Sequence, residues 1–141
     1  MENPELGIEL HLLKEAVVKA AEHAYAPYSQ FRVGAVAQGE SGKYYTGCNV
    51  ENSSYGATCC AERVAIFKGL SEGERRFKQL MLWTPDAQGY ASPCGICRQV
   101  ISEFFEPDAR IIMLDETRDS AKVMSVEELL PHAFYLESED Q

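Results

Sequence analysis

Ala57-Thr58-Cys59-Cys60-Ala61-Glu62-Arg63 places two adjacent cysteines directly ahead of an acid–base pair. Those thiols could form a disulfide, act as a nucleophile, bind a metal or simply fill a core. The surrounding chain discriminates among these. It opens Met-Glu-Asn-Pro-Glu-Leu, acidic and without the apolar core of a secretory leader. Its 5 cysteines cannot all pair within one chain, so reduced thiols in a cytoplasmic protein are expected.

A second thiol motif, Pro93-Cys94-Gly95-Ile96-Cys97, stands where a turn should enter a helix. A Cys-x-x-Cys spacing there lets both sulfurs face one ion. The N–H groups and positive dipole end of the helix favour thiolate over thiol. Cys60, at the start of another expected helix, is the candidate third ligand. Three protein ligands leave one position for water, as in catalytic rather than structural zinc sites. Arg63 and Arg98, each next to a key residue, are candidates to offset the charge of three thiolates.

Glu62 is two residues beyond Cys60. In mid-helix that spacing turns side chains about 200° apart. Both can face one site only if Cys60 sits at the cap or in the first turn. Glu62 would then be a non-ligand carboxylate able to move protons. A cysteine or histidine ligand, a nearby glutamate and then P-C-x-x-C matches the general pattern of zinc deaminases.

Moving outward, Asn3-Pro4 reads as a helix start, followed by an apolar stripe of Ile8, Leu12, Leu13, Val17, Ala20 and Ala21. The helix should fray near Ala26-Pro27. Phe31–Ala37 and Lys43–Val50 read as strands around a Gly-Glu-Ser-Gly hairpin turn. A helix is expected from Cys60 to Gly69, a strand from Phe77 to Thr84, and a helix from Gly95 to Phe105 closed by Pro107. Arg110–Leu114 reads as a buried strand, and Ser125–Glu128 as a capping box. The order α-β-β-α-β-α-β-α implies an α/β sheet covered by helices.

At 141 residues a single domain spanning residues 1–141 is expected, with 45% hydrophobic and 25% charged residues. The net charge of −9 is the wrong sign for tracking a nucleic acid polymer. No apolar run approaches the roughly 20 residues of a membrane helix. A small-molecule substrate is favoured.

Ala24–Ala35 (A-Y-A-P-Y-S-Q-F-R-V-G-A), Gly47–Gly56 (G-C-N-V-E-N-S-S-Y-G), Cys60–Arg63, Ser71–Gly73, Ser92–Val100 (S-P-C-G-I-C-R-Q-V) and Leu129–Phe134 (L-L-P-H-A-F) together resemble the small, homotetrameric cytidine deaminases, in order and spacing, over nearly the whole chain. The resemblance implies a three-layer α/β/α fold with a mixed five-stranded sheet. It implies one zinc per subunit on Cys60, Cys94 and Cys97, with Glu62 as proton shuttle. Zinc-bound hydroxide would attack the amino-bearing ring carbon of cytidine or 2′-deoxycytidine. Asn49 and Glu51 match a pair that binds the ribose hydroxyl, and Phe31 an aromatic packed on the pyrimidine. Backbone around Ala61 and Ser92 would read the base edge. Tyr55 and Phe134 match aromatics that reach the pocket from neighbouring subunits, and Gln99 is a candidate organiser behind the zinc. Uridine and ammonia would be the products, in pyrimidine salvage.

Three other readings stand beside this one. A deaminase of a related nucleoside, such as blasticidin S, shares the zinc motif, although Asn49-Val50-Glu51-Asn52 favours an unmodified sugar. A non-catalytic zinc module would need a fourth ligand, with Cys48 the better candidate. A redox dithiol at Cys94 and Cys97 would leave Glu62 unexplained. Cys48 and Cys59 otherwise read as packing thiols, and His11, His23 and His132 as ordinary surface residues.

Overall fold

Burial of apolar side chains on both faces of a central sheet accounts for most of the architecture. The structure, a computed structural model, describes residues 4–136, with side chains from Glu9 onward. The Asn3 cap, the Ile8 side chain and most of the acidic tail lie outside the described residues. Ten elements follow in order: α1 (Pro4–Glu22), β1 (Gly34–Gly39), β2 (Tyr44–Cys48), a 3-10 turn (Tyr55–Ala57), α2 (Ala61–Ser71), β3 (Phe77–Trp83), α3 (Gly95–Phe104), β4 (Phe105–Leu114), β5 (Ala121–Ser125) and α4 (Val126–Leu129).

The five strands form one mixed sheet in the order β2-β1-β3-β4-β5. Only β3 and β4 run parallel; the other neighbours are antiparallel. The central strands are buried on both faces, so their sequences are nearly continuous apolar runs rather than alternating ones. Successive side chains still go to opposite faces. Val36, Met81, Trp83, Ile112 and Leu114 pack with Leu13, Val17 and Ala21 of α1. Ala35, Leu80, Leu82, Ile111 and Met113 pack on the other face with Ala65 and Ile66 of α2, Ile101 of α3 and Leu129 of α4. The result is the expected three-layer α/β/α fold, with α1 alone on one side.

Several boundaries differ from the sequence reading. Leu12 is exposed, because the buried stripe of α1 is centred on Leu13 and Val17. The helix ends at Glu22, well before Pro27, and Phe31–Val33 is irregular rather than strand. Pro107 does not close α3 but lies inside β4, where the pairing with β3 jumps from Phe105 to Arg110. That irregularity frees the position from supplying the N–H that proline lacks. β5 was not read from the sequence. It is a largely exposed edge strand, so it shows no apolar alternation. The hairpin turn is as expected, with Gly42 at φ +95°, and the Ser125–Glu128 capping box forms.

Candidate metal and nucleoside site

Both thiol motifs arrive at helix starts. Cys60 is the N-cap of α2 and Cys94 the N-cap of α3, each with extended backbone angles. Residues 34 positions apart in sequence thus meet, with Cys60 Sγ and Cys94 Sγ 3.8 Å apart. Cys97, one turn into α3 and fully buried, completes a group whose sulfurs all lie within 4.8 Å of one another. Two sulfurs at tetrahedral positions around zinc, with bonds of about 2.3 Å, stand about 3.8 Å apart. The donor set and its spacing therefore fit a zinc ion. Among the described residues, no fourth histidine, cysteine or carboxylate joins the group, and Cys48 is not part of it.

The thiols compete for a shared proton. Hydrogen bonding to Cys97 lowers the Cys60 pKa to about 5, assisted by Arg63 and Cys94. The same contact, together with burial, pushes the Cys97 thiol up. A dication would relieve this competition for a proton, because thiolates are its ligands. Arg63 Nη2 lies 3.5 Å from Cys60 Sγ, where its charge faces the sulfurs. Arg98 takes a different role from the one expected. Its Nε donates to the Pro93 carbonyl at 2.8 Å and its Nη1 to that of Leu129 at 2.9 Å, tying the thiol loop to α4.

Placing Cys60 at the cap resolves the Cys60–Glu62 spacing. Glu62, in the first turn of α2, is 4% exposed and lines the same cavity as Cys60 and Cys94. Burial raises its pKa to about 7. A carboxyl so placed can hold or release a proton near neutrality.

The cavity has a volume of about 390 Å³. Phe31, Asn49, Glu51, Ala61 and Ser92, all singled out from the sequence, line it. Asn49 Oδ1 accepts from Val33 N at 2.9 Å, and its Nδ2 donates to Phe31 O at 2.7 Å. One amide hydrogen and one oxygen lone pair remain. Glu51 Oε1 accepts from the backbone N–H groups of Tyr28 and Ser29, at 2.9 and 3.1 Å, while Oε2 accepts from Ser29 Oγ. These bonds, led by the Ser29 hydroxyl, hold its pKa below the usual carboxylate range. A carboxylate offers about four acceptor positions, so one remains for a hydroxyl donor.

Tyr55 and Phe134 do not line this cavity; they are 86% and 68% exposed. Gln99 is not directed at the sulfurs. Its Nε2 donates to the Phe134 carbonyl at 2.8 Å and so anchors the C-terminal segment to α3. Ser29 and Val33 were missed in the sequence, although both line the cavity. Ser29 lies inside the quoted A-Y-A-P-Y-S-Q-F segment, but its bond to Glu51 spans 22 residues and leaves no local signal.

Three clustered thiols with one buried carboxyl beside them, on helix starts at one end of a mixed sheet, define a zinc-dependent hydrolase-type site of the deaminase class. Residues 9–114 match the family model for the cytidine and deoxycytidylate deaminase zinc-binding region. A cytidine deaminase from Sporosarcina psychrophila is 48% identical over 116 residues, covering 82% of this chain and 84% of that protein. One from Halalkalibacterium halodurans is 43% identical over 126 residues, covering 89% and 93%. The crystal structure of cytidine deaminase from Burkholderia pseudomallei superposes with a TM-score of 0.82 at 43% identity, covering 88% of this chain and 98% of that one. The chain belongs to the cytidine deaminase family.

Proposed function

We propose that this enzyme hydrolyses cytidine and 2′-deoxycytidine to uridine and 2′-deoxyuridine, with release of ammonia. The observation that carries the reading is Glu62, a buried non-ligand carboxyl in one cavity with Cys60, Cys94 and the Asn49–Glu51 pair. Cys60, Cys94 and Cys97 would hold one zinc, which when bound supplies Lewis-acid activation of water at neutral pH. Glu62 accepts the proton released as water adds to the amino-bearing ring carbon, and passes it to the adjacent ring nitrogen. It then takes the remaining proton of the added hydroxyl and delivers it to the departing amine, so that the carbonyl forms as the carbon–nitrogen bond breaks and ammonia leaves. Its raised pKa suits a group that must both take and return a proton.

The free acceptor of Glu51 and the free donor and acceptor of Asn49 suit a sugar hydroxyl present in both nucleosides. Phe31 supplies the ring face that packs on the pyrimidine, and the backbone at Ala61 and Ser92 reads the base edge. The exposure of Tyr55 and Phe134 supports a homotetramer in which each reaches a neighbouring subunit's site. We place the reaction in cytoplasmic pyrimidine salvage, in keeping with five unpaired thiols. No helix among the described residues is long and apolar enough to cross a membrane. Residues 1–141 act as a single catalytic domain in this reading.

Cytidine turnover and zinc content, measured together on wild type and Glu62→Gln, test it. The variant should keep its zinc and lose about 10²–10⁴-fold in kcat. Undiminished turnover in the variant would overturn the mechanism.

A further inference from the structure

β1 is flanked by β2 and β3, and the last register pairs at this end are Gly34 with Cys48 and Gly34 with Trp83. Just upstream lies the irregular segment Phe31–Val33, whose first and last residues line the cavity. Here side chains continue the work of the neighbouring strands. On the β2 side Asn49 grips Phe31 O and Val33 N. On the β3 side Asp86 accepts from three N–H groups of Arg32. Arg32 N and Nε both donate to Asp86 Oδ2 at 2.9 Å, and Arg32 Nη2 donates to Oδ1 at 2.9 Å. Asp86 is itself oriented, its N–H donating to the hydroxyl of buried Thr84 at 3.1 Å.

We propose that the Arg32–Asp86 pair is a latch that fixes the Phe31–Val33 rim and sets affinity for the nucleoside. Both are positioning residues; neither lines the cavity. The inference rests on reading that cavity as the nucleoside site. The latch joins two cavity-lining segments, because Asp86 lies in the β3–α3 connection that also carries Ala91, Ser92 and Cys94 to the cavity. Two parallel N–H···O bonds need the planar guanidinium fork, so lysine could not reproduce them. The Arg32 side chain is 52% exposed, and an exposed ion pair adds little to global stability. Its effect is therefore local. Gln30, directly before Phe31, holds φ 58°, a left-handed conformation that needs support from its surroundings in a non-glycine residue. Releasing the latch lets this turn relax and Phe31 drift from the ring it packs on.

Steady-state cytidine deamination by Asp86→Ala, Arg32→Gln and the double variant tests the latch, with zinc content and melting temperature measured on each. Asp86→Ala should raise KM about tenfold with kcat within about twofold of wild type and zinc retained. Arg32→Gln should raise KM about threefold, since its backbone N–H still reaches Asp86, and the double variant should be no worse than Asp86→Ala. An unchanged KM in either single variant overturns the proposal, as does a joint loss of kcat and zinc. If Asp86→Ala does not fold, Arg32→Gln decides alone. Phe31→Ala separates the two levels. Wild-type KM in that variant, or no turnover by wild type, sinks the nucleoside-site reading; a raised KM there beside normal latch variants sinks only the latch.

Discussion

Arg63 Nη2 and Cys60 Sγ are 3.5 Å apart, three residues from each other on the first turn of α2. This contact sets a cation against the sulfur cluster, whereas the Arg98 guanidinium is engaged by two carbonyls. Charge compensation of the thiolates therefore rests on Arg63 and the two helix starts.

Replacing Arg63 by alanine should weaken zinc binding about 10–100-fold, the usual effect of losing a partner behind metal ligands. Zinc occupancy at limiting metal, followed by chelator competition, reads this directly. Cytidine turnover should fall with occupancy and partly return at high zinc. Normal occupancy and turnover in Arg63→Ala would remove this role.

Asn49 supports the rim and is proposed to contact the sugar, so one substitution should show in both stability and affinity. Its amide satisfies Phe31 O and Val33 N and keeps hydrogen-bonding capacity for a ligand. Asn49→Ala leaves backbone groups beside a buried site without partners, at a cost of about 1–3 kcal/mol in unfolding free energy. KM for cytidine should also rise about tenfold or more, because the rim support and the proposed sugar contact would be lost together. Denaturant titration and steady-state kinetics on one preparation check both. A destabilised variant with wild-type KM would leave Asn49 a structural residue only.

The thiol motifs were legible because their chemistry is local. Cys94 and Cys97 share one helix start, and Cys60 and Glu62 another, so spacing alone bounds what each can face. The partners of Arg98 and Gln99 were not legible. Adjacency to a ligand suggested the zinc, but α3 turns these side chains towards Leu129 and Phe134, more than 30 residues away. β5 escaped because an exposed edge strand has no buried face to impose alternation. Phe31–Val33 has the composition of a strand, yet its flanking strands have ended, and side chains together with one backbone bond from Asn49 N to Val33 O hold it instead. What the sequence hid in each case was a meeting of distant residues, not a local preference.

Glu74 supplies a pH-dependent term to stability, apart from the site. It is buried and accepts from Ser41 Oγ and, at 3.1 Å, from Tyr45 Oη. The Ser41 bond first, then the Tyr45 bond, hold its pKa below the usual carboxylate range despite burial. A depressed pKa in the folded state stabilises above the unfolded value of about 4.3, and that contribution is lost as pH falls through the folded value. The stability gap between wild type and Glu74→Gln should therefore be full near about pH 6 and shrink steadily towards about pH 3. Urea denaturation of both proteins across that range measures it. A gap that is constant or grows on acidification would contradict the sign.

Gly47 couples the sheet to the site. It lies in β2, opposite Ala35 of β1, and α2 crosses directly over it. A Cβ at this position would fall 2.5 Å from Ala61 O and 2.5 Å from Ala65 N. Both are backbone atoms of α2, so no side chain can turn away; the helix itself must move. Gly47→Ala should cost about 1–3 kcal/mol by overpacking. Because Ala61 stands between Cys60 and Glu62, the displacement should also shift both relative to Cys94 and Cys97. Reduced zinc affinity and a lower kcat should therefore accompany the lost stability, measured below the variant's own unfolding transition. Stability lost without any change in zinc affinity or kcat would mean that α2 adjusts at Ala65 alone and leaves its first turn in place.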